Sequence, residues 1–253
     1  MNIVLIGSGN VATHMGAAFV SAGCRVVQVY SRTLAHARAL AGRWGGEAID
    51  DLSQLDVTAQ VYVIAVKDDA LAPVVAQLPP KLQGLLLHTA GSVPMEVFAT
   101  RTGPYGVLYP VQTFSKAKEI DFSQVPLAIE AADVATLARV RELAGLLSGH
   151  VFDCSSTQRL ALHVAAVFAC NFTNHLYAIA QRLLAGHELD LDLIRPLIRE
   201  TAEKAMLHNP ETVQTGPAVR GDVTTMQKHL ALLAGHPEWA ALYTALSKEI
   251  GRK

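Results

Sequence analysis

What this chain of 253 residues lacks narrows its function first. Neither sign of charge dominates: 21 lysines and arginines face 22 aspartates and glutamates, a formal net charge of −1. The basic footprint that nucleic acid or an anionic membrane needs is therefore missing. Cysteine is scarce, and Cys24, Cys154 and Cys170 are odd in number and far apart. That excludes a full disulfide framework and any C-x-x-C metal or redox motif. The ten histidines include no H-x-x-x-H pair and have no thiol cluster beside them, so no metal is expected. A G-x-S-x-G elbow for a serine hydrolase is also missing. The most apolar helical stretch, Leu160 to Ala180, is interrupted by His163, Asn171, Thr173, Asn174 and His175, and reads as a buried helix rather than a membrane span. A strand starts at residue 3 with no basic leader before it, so a cytoplasmic protein is expected. A small-molecule substrate remains.

What is present starts with Ile-Val-Leu-Ile-Gly7-Ser8-Gly9-Asn10-Val11-Ala12, an apolar strand running into a glycine turn and then a helix. Each small residue has its own task. Gly7 permits the tight turn, Gly9 leaves room for a pyrophosphate against backbone N–H groups, and Ala12 stands in for the third glycine where helix and sheet pack closely. The ligand's charge then meets the N-terminus of a helix, where unpaired donors and the macrodipole favour anions. The next strand, Val26 to Tyr30, ends in Ser31-Arg32-Thr33, where an NAD site carries an acid for the ribose 2′-hydroxyl. With Arg32 there instead, flanked by two hydroxyls, a 2′-phosphate and hence NADP (NADPH) is the expected cofactor.

Strand and helix signals alternate along the first half. Strands are expected at 26–30, 47–49, 61–66, 85–88, 105–109, 126–130 and 150–153, with helices at about 10–22, 33–44 and 67–77. Val61 to Val66 is apolar throughout, as in a parallel strand buried on both faces. The fold class is α/β: a doubly wound parallel sheet over residues 1–153, followed by an all-helical domain over 154–253 for substrate and dimer contacts. In that second part Ser155, Ser156 or Thr157 caps a helix reaching about Leu184, and more helices follow at about 190–207, 222–234 and 237–250.

Three later motifs carry a resemblance: Tyr109-Pro-Val-Gln-Thr-Phe-Ser115, Arg159-x-x-x-His163-x-x-Ala-Val-Phe-Ala-x-Asn171, and Gln214-Thr-Gly-Pro-Ala-x-Arg220-Gly-Asp222. With the glycine turn, these resemble a group of NADP-binding oxidoreductases whose second domain is domain of unknown function 2520. That group is related to pyrroline-carboxylate reductase and the 6-phosphogluconate dehydrogenase superfamily, and the likeness spans nearly the whole chain.

The resemblance implies a cofactor loop at Tyr109-Pro110, similar to the Met-Pro or His-Pro loop of related dehydrogenases. It also implies a substrate-anion loop holding Thr215, Gly216 and Arg220, while Asp222 reads as a helix cap. His229 is a weaker candidate. Some relatives carry a catalytic lysine three or four residues before the asparagine. Val167 and Phe168 stand there in this chain, so that mechanism does not transfer.

On the residues themselves, His88 and Tyr109 end strands where an open sheet binds ligands, and each suits either a catalytic role or a structural hydrogen bond. On the long helix expected from Ser155 to Leu184, His163, Val167, Asn171 and Asn174 share an arc of roughly 80°. The resulting expectation is an NADP-dependent oxidoreductase moving hydride between nicotinamide and a small, anionic carbonyl or imine held between two domains. His163, His88 and Asn171 are the catalytic candidates; Gly7, Ser8, Gly9, Asn10, Val11, Ala12, Ser31, Arg32, Thr33, Val66, Tyr109 and Pro110 bind cofactor; Thr215, Gly216, Arg220 and Asn174 bind substrate. A homodimer is expected. The alternative is an NADP-binding sensor or assembly protein without turnover.

Overall fold

In the computed structural model, which describes residues 1–252, the chain divides into two compact units, Met1–Cys170 and Asn171–Lys253. The first unit runs β1 Asn2–Ile6, α1 Asn10–Ser21, β2 Arg25–Tyr30, α2 Leu34–Ala41, β3 Glu47–Ile49, β4 Val61–Ile64, α3 Asp68–Gln77, β5 Leu85–His88, β6 Tyr105–Pro110, β7 Leu127–Ala131, α4 Val134–Gly145, β8 Val151–Asp153 and α5 Ser156–Ala166. One eight-stranded sheet results, in the order β3-β2-β1-β4-β5-β6-β7-β8.

Strand parity explains why this sheet is buried on both sides. Along β1, Ile3 and Leu5 point into one cluster with Met15, Phe19 and Leu40, while Val4 and Ile6 point into another with Leu71, Val75 and Phe98. All four are inaccessible to solvent, each worth about 1.5–3 kcal/mol of transfer free energy.

Strands β1 to β6 are mutually parallel, so their C-terminal ends lie along one edge of the sheet. The doubly wound parallel sheet expected from sequence is present, with one exception at β7, which pairs antiparallel with β6 from Gly106↔Ala131 to Pro110↔Leu127. A parallel partner requires a crossover, usually a helix, but the link from Val111 to Pro126 holds only the short turn Phe122–Gln124. Beyond it α4, capped by Asp133 accepting from Thr136 N, returns the chain so that β8 lies parallel to β7.

At residue 155 the helix start is a capping box: Ser155 Oγ accepts from Gln158 N while Gln158 Oε1 accepts from Ser155 N. The last strand ends at Asp153 and α5 starts at Ser156, yet α5 belongs to the sheet unit, which extends to Cys170. Arg159 is the reason. Its buried guanidinium donates to the carbonyls of Ala90 and Val93, to Ser156 Oγ and to the Glu130 carboxylate on β7.

The second unit is helical: α6 Thr173–Ala185, α7 Arg195–Leu207, α8 Pro217–Arg220, α9 Val223–Leu232 and α10 Pro237–Ile250. Asp222 caps α9 by accepting from Thr225 N, as its sequence position predicts. The expectation of a buried helix over 160–180 is corrected: within the single chain Leu160, Val164, Phe168, Phe172 and Leu176 are all exposed. No helix among the described residues is long and apolar enough to cross a membrane.

Candidate active site

Because β1 to β6 run parallel, four loops and one strand end meet the same sheet edge: Gly7–Ala12 after β1, Ser31–Thr33 after β2, Val66–Asp68 after β4, Thr89–Ser92 after β5, and Tyr109–Pro110, which ends β6 within the strand rather than in a loop. The strand order turns back between β1 and β4, which is where open α/β sheets bind ligands.

The glycine turn fits a pyrophosphate. Gly7 has φ +125° and no room for a Cβ, which would collide with the Ala65 carbonyl. Gly9 is different: a Cβ there would meet nothing within 4 Å, so space lies open above the turn. Gly9 is also the N-cap of α1, with no side-chain cap and no acid in the first turn. The helix's first donors thus lack a side-chain acceptor where a dinucleotide phosphate would sit. Ser8 Oγ donates to Ser31 Oγ at 2.9 Å, joining the phosphate turn to the segment that carries Arg32. Arg32 and Thr33 are exposed beside it, while Ala12 is buried against the sheet and Val11 packs at the cluster's margin.

A strap missed in the sequence crosses the same turn. Asn10 Nδ2 donates to Phe114 O at 2.7 Å, His14 Nε2 lies 2.9 Å from Ser115 O, and Lys116 Nζ donates to Ser8 O at 3.0 Å. Rings hold it in place: Phe114 meets His14 at 5.1 Å and stacks on Phe122 at 6.0 Å. The available signal was the motif Gln112-Thr-Phe-Ser115 itself, but contacts across about a hundred positions have no local pattern.

At the ends of β5 and β6 the structure joins Tyr109 with His163. The phenol oxygen lies 3.2 Å from His163 Nδ1, with the rings edge to face. His163 stands four residues after Arg159 on α5, hence on the same helix face, and rests against Gly91. Burial, then the Asp68 carboxylate, push the Tyr109 phenol above its ordinary range, so it stays protonated at neutral pH. A phenol and an imidazole nitrogen at that distance share one hydrogen bond, whose direction follows the tautomer of the ring. Ser92 Oγ in turn donates to Asp68, tying the β5 loop to the start of α3.

His88 is corrected. It is fully buried, shares the face of Leu86, and packs its ring 5.5 Å from Phe98. Its Nδ1 accepts from Ala90 N at 3.2 Å, and Nε2 has no hydrogen-bond partner among the described residues. Burial, followed by the positive charge of Arg159, lowers its pKa to about 3. Such a ring is a neutral structural group that braces the backbone of the loop after β5.

The common arc of His163, Val167, Asn171 and Asn174 is also corrected, because Val167–Phe172 is π-helical and breaks the 100° progression. Asn171 and Asn174 are exposed in the second unit. In that unit Thr215 and Arg220 are exposed on the segment entering and ending α8, with Gly216 at φ +115° between them. His229 Nδ1 lies 2.9 Å from Tyr243 Oη. No cluster of three metal-ligating side chains occurs among the described residues.

Fold and sheet-edge loops together define a Rossmann-type oxidoreductase. The chain belongs to a family of NADP oxidoreductases: a Bacteroides fragilis protein assigned as an NADP oxidoreductase is 44% identical to it, with a TM-score of 0.91 over 100% of this chain and 98% of its own. The family described as NADP oxidoreductase, coenzyme F420-dependent, matches residues 2–88, and domain of unknown function DUF2520 matches residues 125–250. The fold is shared more widely. A Myxococcus stipitatus imine reductase in complex with NADP+ gives a TM-score of 0.69 at 17% identity, over 98% of this chain and 93% of its own. An Aspergillus terreus reductive aminase in complex with NADPH gives 0.74 at 16%, over 99% and 92%. No curated protein matches the chain.

Proposed function

We propose that this protein binds NADPH and reduces a small, anionic carbonyl or imine compound, with the Tyr109–His163 pair handling the proton. The single observation that carries the reading is that pair, 3.2 Å apart at the edge where the glycine turn and Arg32 also lie. The glycine turn and the α1 N-terminus would hold the pyrophosphate, Ser31, Arg32 and Thr33 the 2′-phosphate, and Val66 and Pro110 the apolar walls nearer the strand ends. When bound, NADPH supplies the hydride. The chain's part is orientation and the proton. Tyr109 would orient the ring, and His163 in its imidazolium form would pass a proton to the reacting oxygen or nitrogen and return to the neutral ring.

Arg220, with Thr215, Gly216 and Asn174, is proposed to hold the substrate's anionic group; a guanidinium forks well onto a carboxylate. The likeness in fold to an imine reductase and a reductive aminase supports the choice of imine or carbonyl. We also read the chain as a homodimer. Leu193, Leu197, Met206, Leu207 and Leu246 are exposed on the helical unit, and a second copy would cover them.

The test is to incubate the purified protein with NADPH and a panel of oxo acids and cyclic imines while following nicotinamide absorbance. Turnover with at least one anionic member is expected, and Arg32→Ala should weaken NADPH binding much more than NADH binding. Saturable NADPH binding with no turnover across the panel would favour a sensor; equal losses for both nucleotides would remove the assignment to NADP. Reduced F420 run in parallel checks the cofactor that the family description also names.

A further inference from the structure

Resting on the dinucleotide reading above, we propose that Lys116 contacts the cofactor's pyrophosphate, delivered to it by the Gln112–Lys118 strap. Lys116 is exposed, yet its ammonium lies 3.0 Å from the carbonyl of Ser8, the residue between the two glycines of the turn. One of its three N–H groups serves that bond, leaving two for another acceptor.

Electrostatics gives the placement its meaning. The N-terminus of α1 already carries the positive end of a helix dipole, with no acid in its first turn and no side-chain cap on its donors. A cation brought to that end is mismatched with it unless an anion joins them. A pyrophosphate supplies that anion, with oxygens enough for backbone donors and an ammonium together.

The strap is also built to put Lys116 there. Two α1 side chains, Asn10 and His14, hold its backbone at Phe114 and Ser115, two residues and one residue before Lys116, and Phe114 is wedged between His14 and Phe122. Both anchors rise from the helix whose N-terminus forms the phosphate cradle. Lys116 therefore keeps its register with Ser8 through two independent contacts to α1.

The experiment is a fluorescence titration of wild type, Lys116→Met and Lys116→Arg with NADPH and with 2′-AMP, which lacks the pyrophosphate. Lys116→Met is expected to weaken NADPH about 10-fold, the scale of one charge-assisted hydrogen bond, and 2′-AMP less than twofold. Lys116→Arg should restore most of the loss, and raising the salt should narrow the gap between wild type and Lys116→Met. Wild-type affinity for NADPH in Lys116→Met overturns the assignment, as do equal losses for both ligands, which would mean a general field effect. If wild type itself fails to bind NADPH, the dinucleotide reading falls and this inference with it. Thermal unfolding of the unliganded variants should match wild type; a large drop for Lys116→Met would make the lysine a structural tether instead.

Discussion

Gly91 and His163 approach so closely that a Cβ on Gly91 would stand 2.6 Å from His163 Nδ1 and 3.0 Å from His163 Cβ. Gly91 is not among the glycines with positive φ, so its backbone would accept alanine. The constraint is purely steric. Gly91→Ala should therefore push the imidazole away from Tyr109 and cost about 1–3 kcal/mol as overpacking, partly offset by the lower entropy of the unfolded chain. Turnover should fall much more than NADPH affinity. A variant with unchanged melting temperature and rate would show that His163 has room to move without consequence.

Tyr109 and His163 should fail together. If His163 is the proton donor, His163→Ala lowers turnover by about 100-fold or more with NADPH affinity changed only a few-fold. Tyr109→Phe removes the hydroxyl that orients the ring, and combining it with His163→Ala should cost little beyond His163→Ala alone, since groups acting as a unit are not additive. Full additivity in kcat would separate the two residues.

Buried Arg159 and half-buried Glu130 form the ion pair that holds α5 to the sheet, and Arg159 also anchors the loop bearing Gly91 through the Ala90 and Val93 carbonyls. Arg159→Met leaves the Glu130 carboxylate without its partner and should destabilise the fold by about 3–5 kcal/mol. Glu130→Met added to it should recover a substantial part, because the stranded charge is gone. Urea unfolding of the two single variants and the double variant measures this; a double variant as unstable as the sum of the singles would show that the charges are not coupled.

How much of this was readable in the chain depended on the range of the interactions. The glycine turn, Ser31-Arg32 and the β1 to β6 elements follow from local rules: apolar runs, small residues at a turn, a helix after it. The reversal at β7 depends on what the 111–126 link fails to form, and a strand run looks the same in either direction. His88 ends its strand as expected, and of its two readings the structure carries the structural hydrogen bond, from Ala90 N. Leu85, Leu86 and Leu87 are all apolar, so sequence gave no parity to say which face His88 joins. Arg159 and His163 share a spacing of four, a legible sign of one helix face, whereas the partners they meet, Glu130 and Gly91, become neighbours only through the sheet. The arc through Asn171 and Asn174 failed at the π-helical turn, which no residue pattern announced.

His88 makes an acid-sensitivity prediction whose sign is fixed by its burial. Its folded pKa lies at about 3 against an ordinary 6.5, so the unfolded chain takes up a proton over a range where the native ring stays neutral. The unfolded state binds more protons there, and stability consequently falls as pH drops from about 6.5 towards about 3, and is fully present above that window. Between about pH 7 and pH 5 the loss due to this one residue is about 2 kcal/mol. His88→Asn keeps an acceptor near the Nδ1 position for Ala90 N but does not titrate. Urea unfolding at the two pH values should therefore show a difference about 2 kcal/mol smaller in His88→Asn than in wild type, whatever the variant's absolute stability. Identical pH dependence in the two proteins would mean that the ring takes up its proton in the folded state as readily as in the unfolded one. That would require the orphaned Nε2 to find an acceptor.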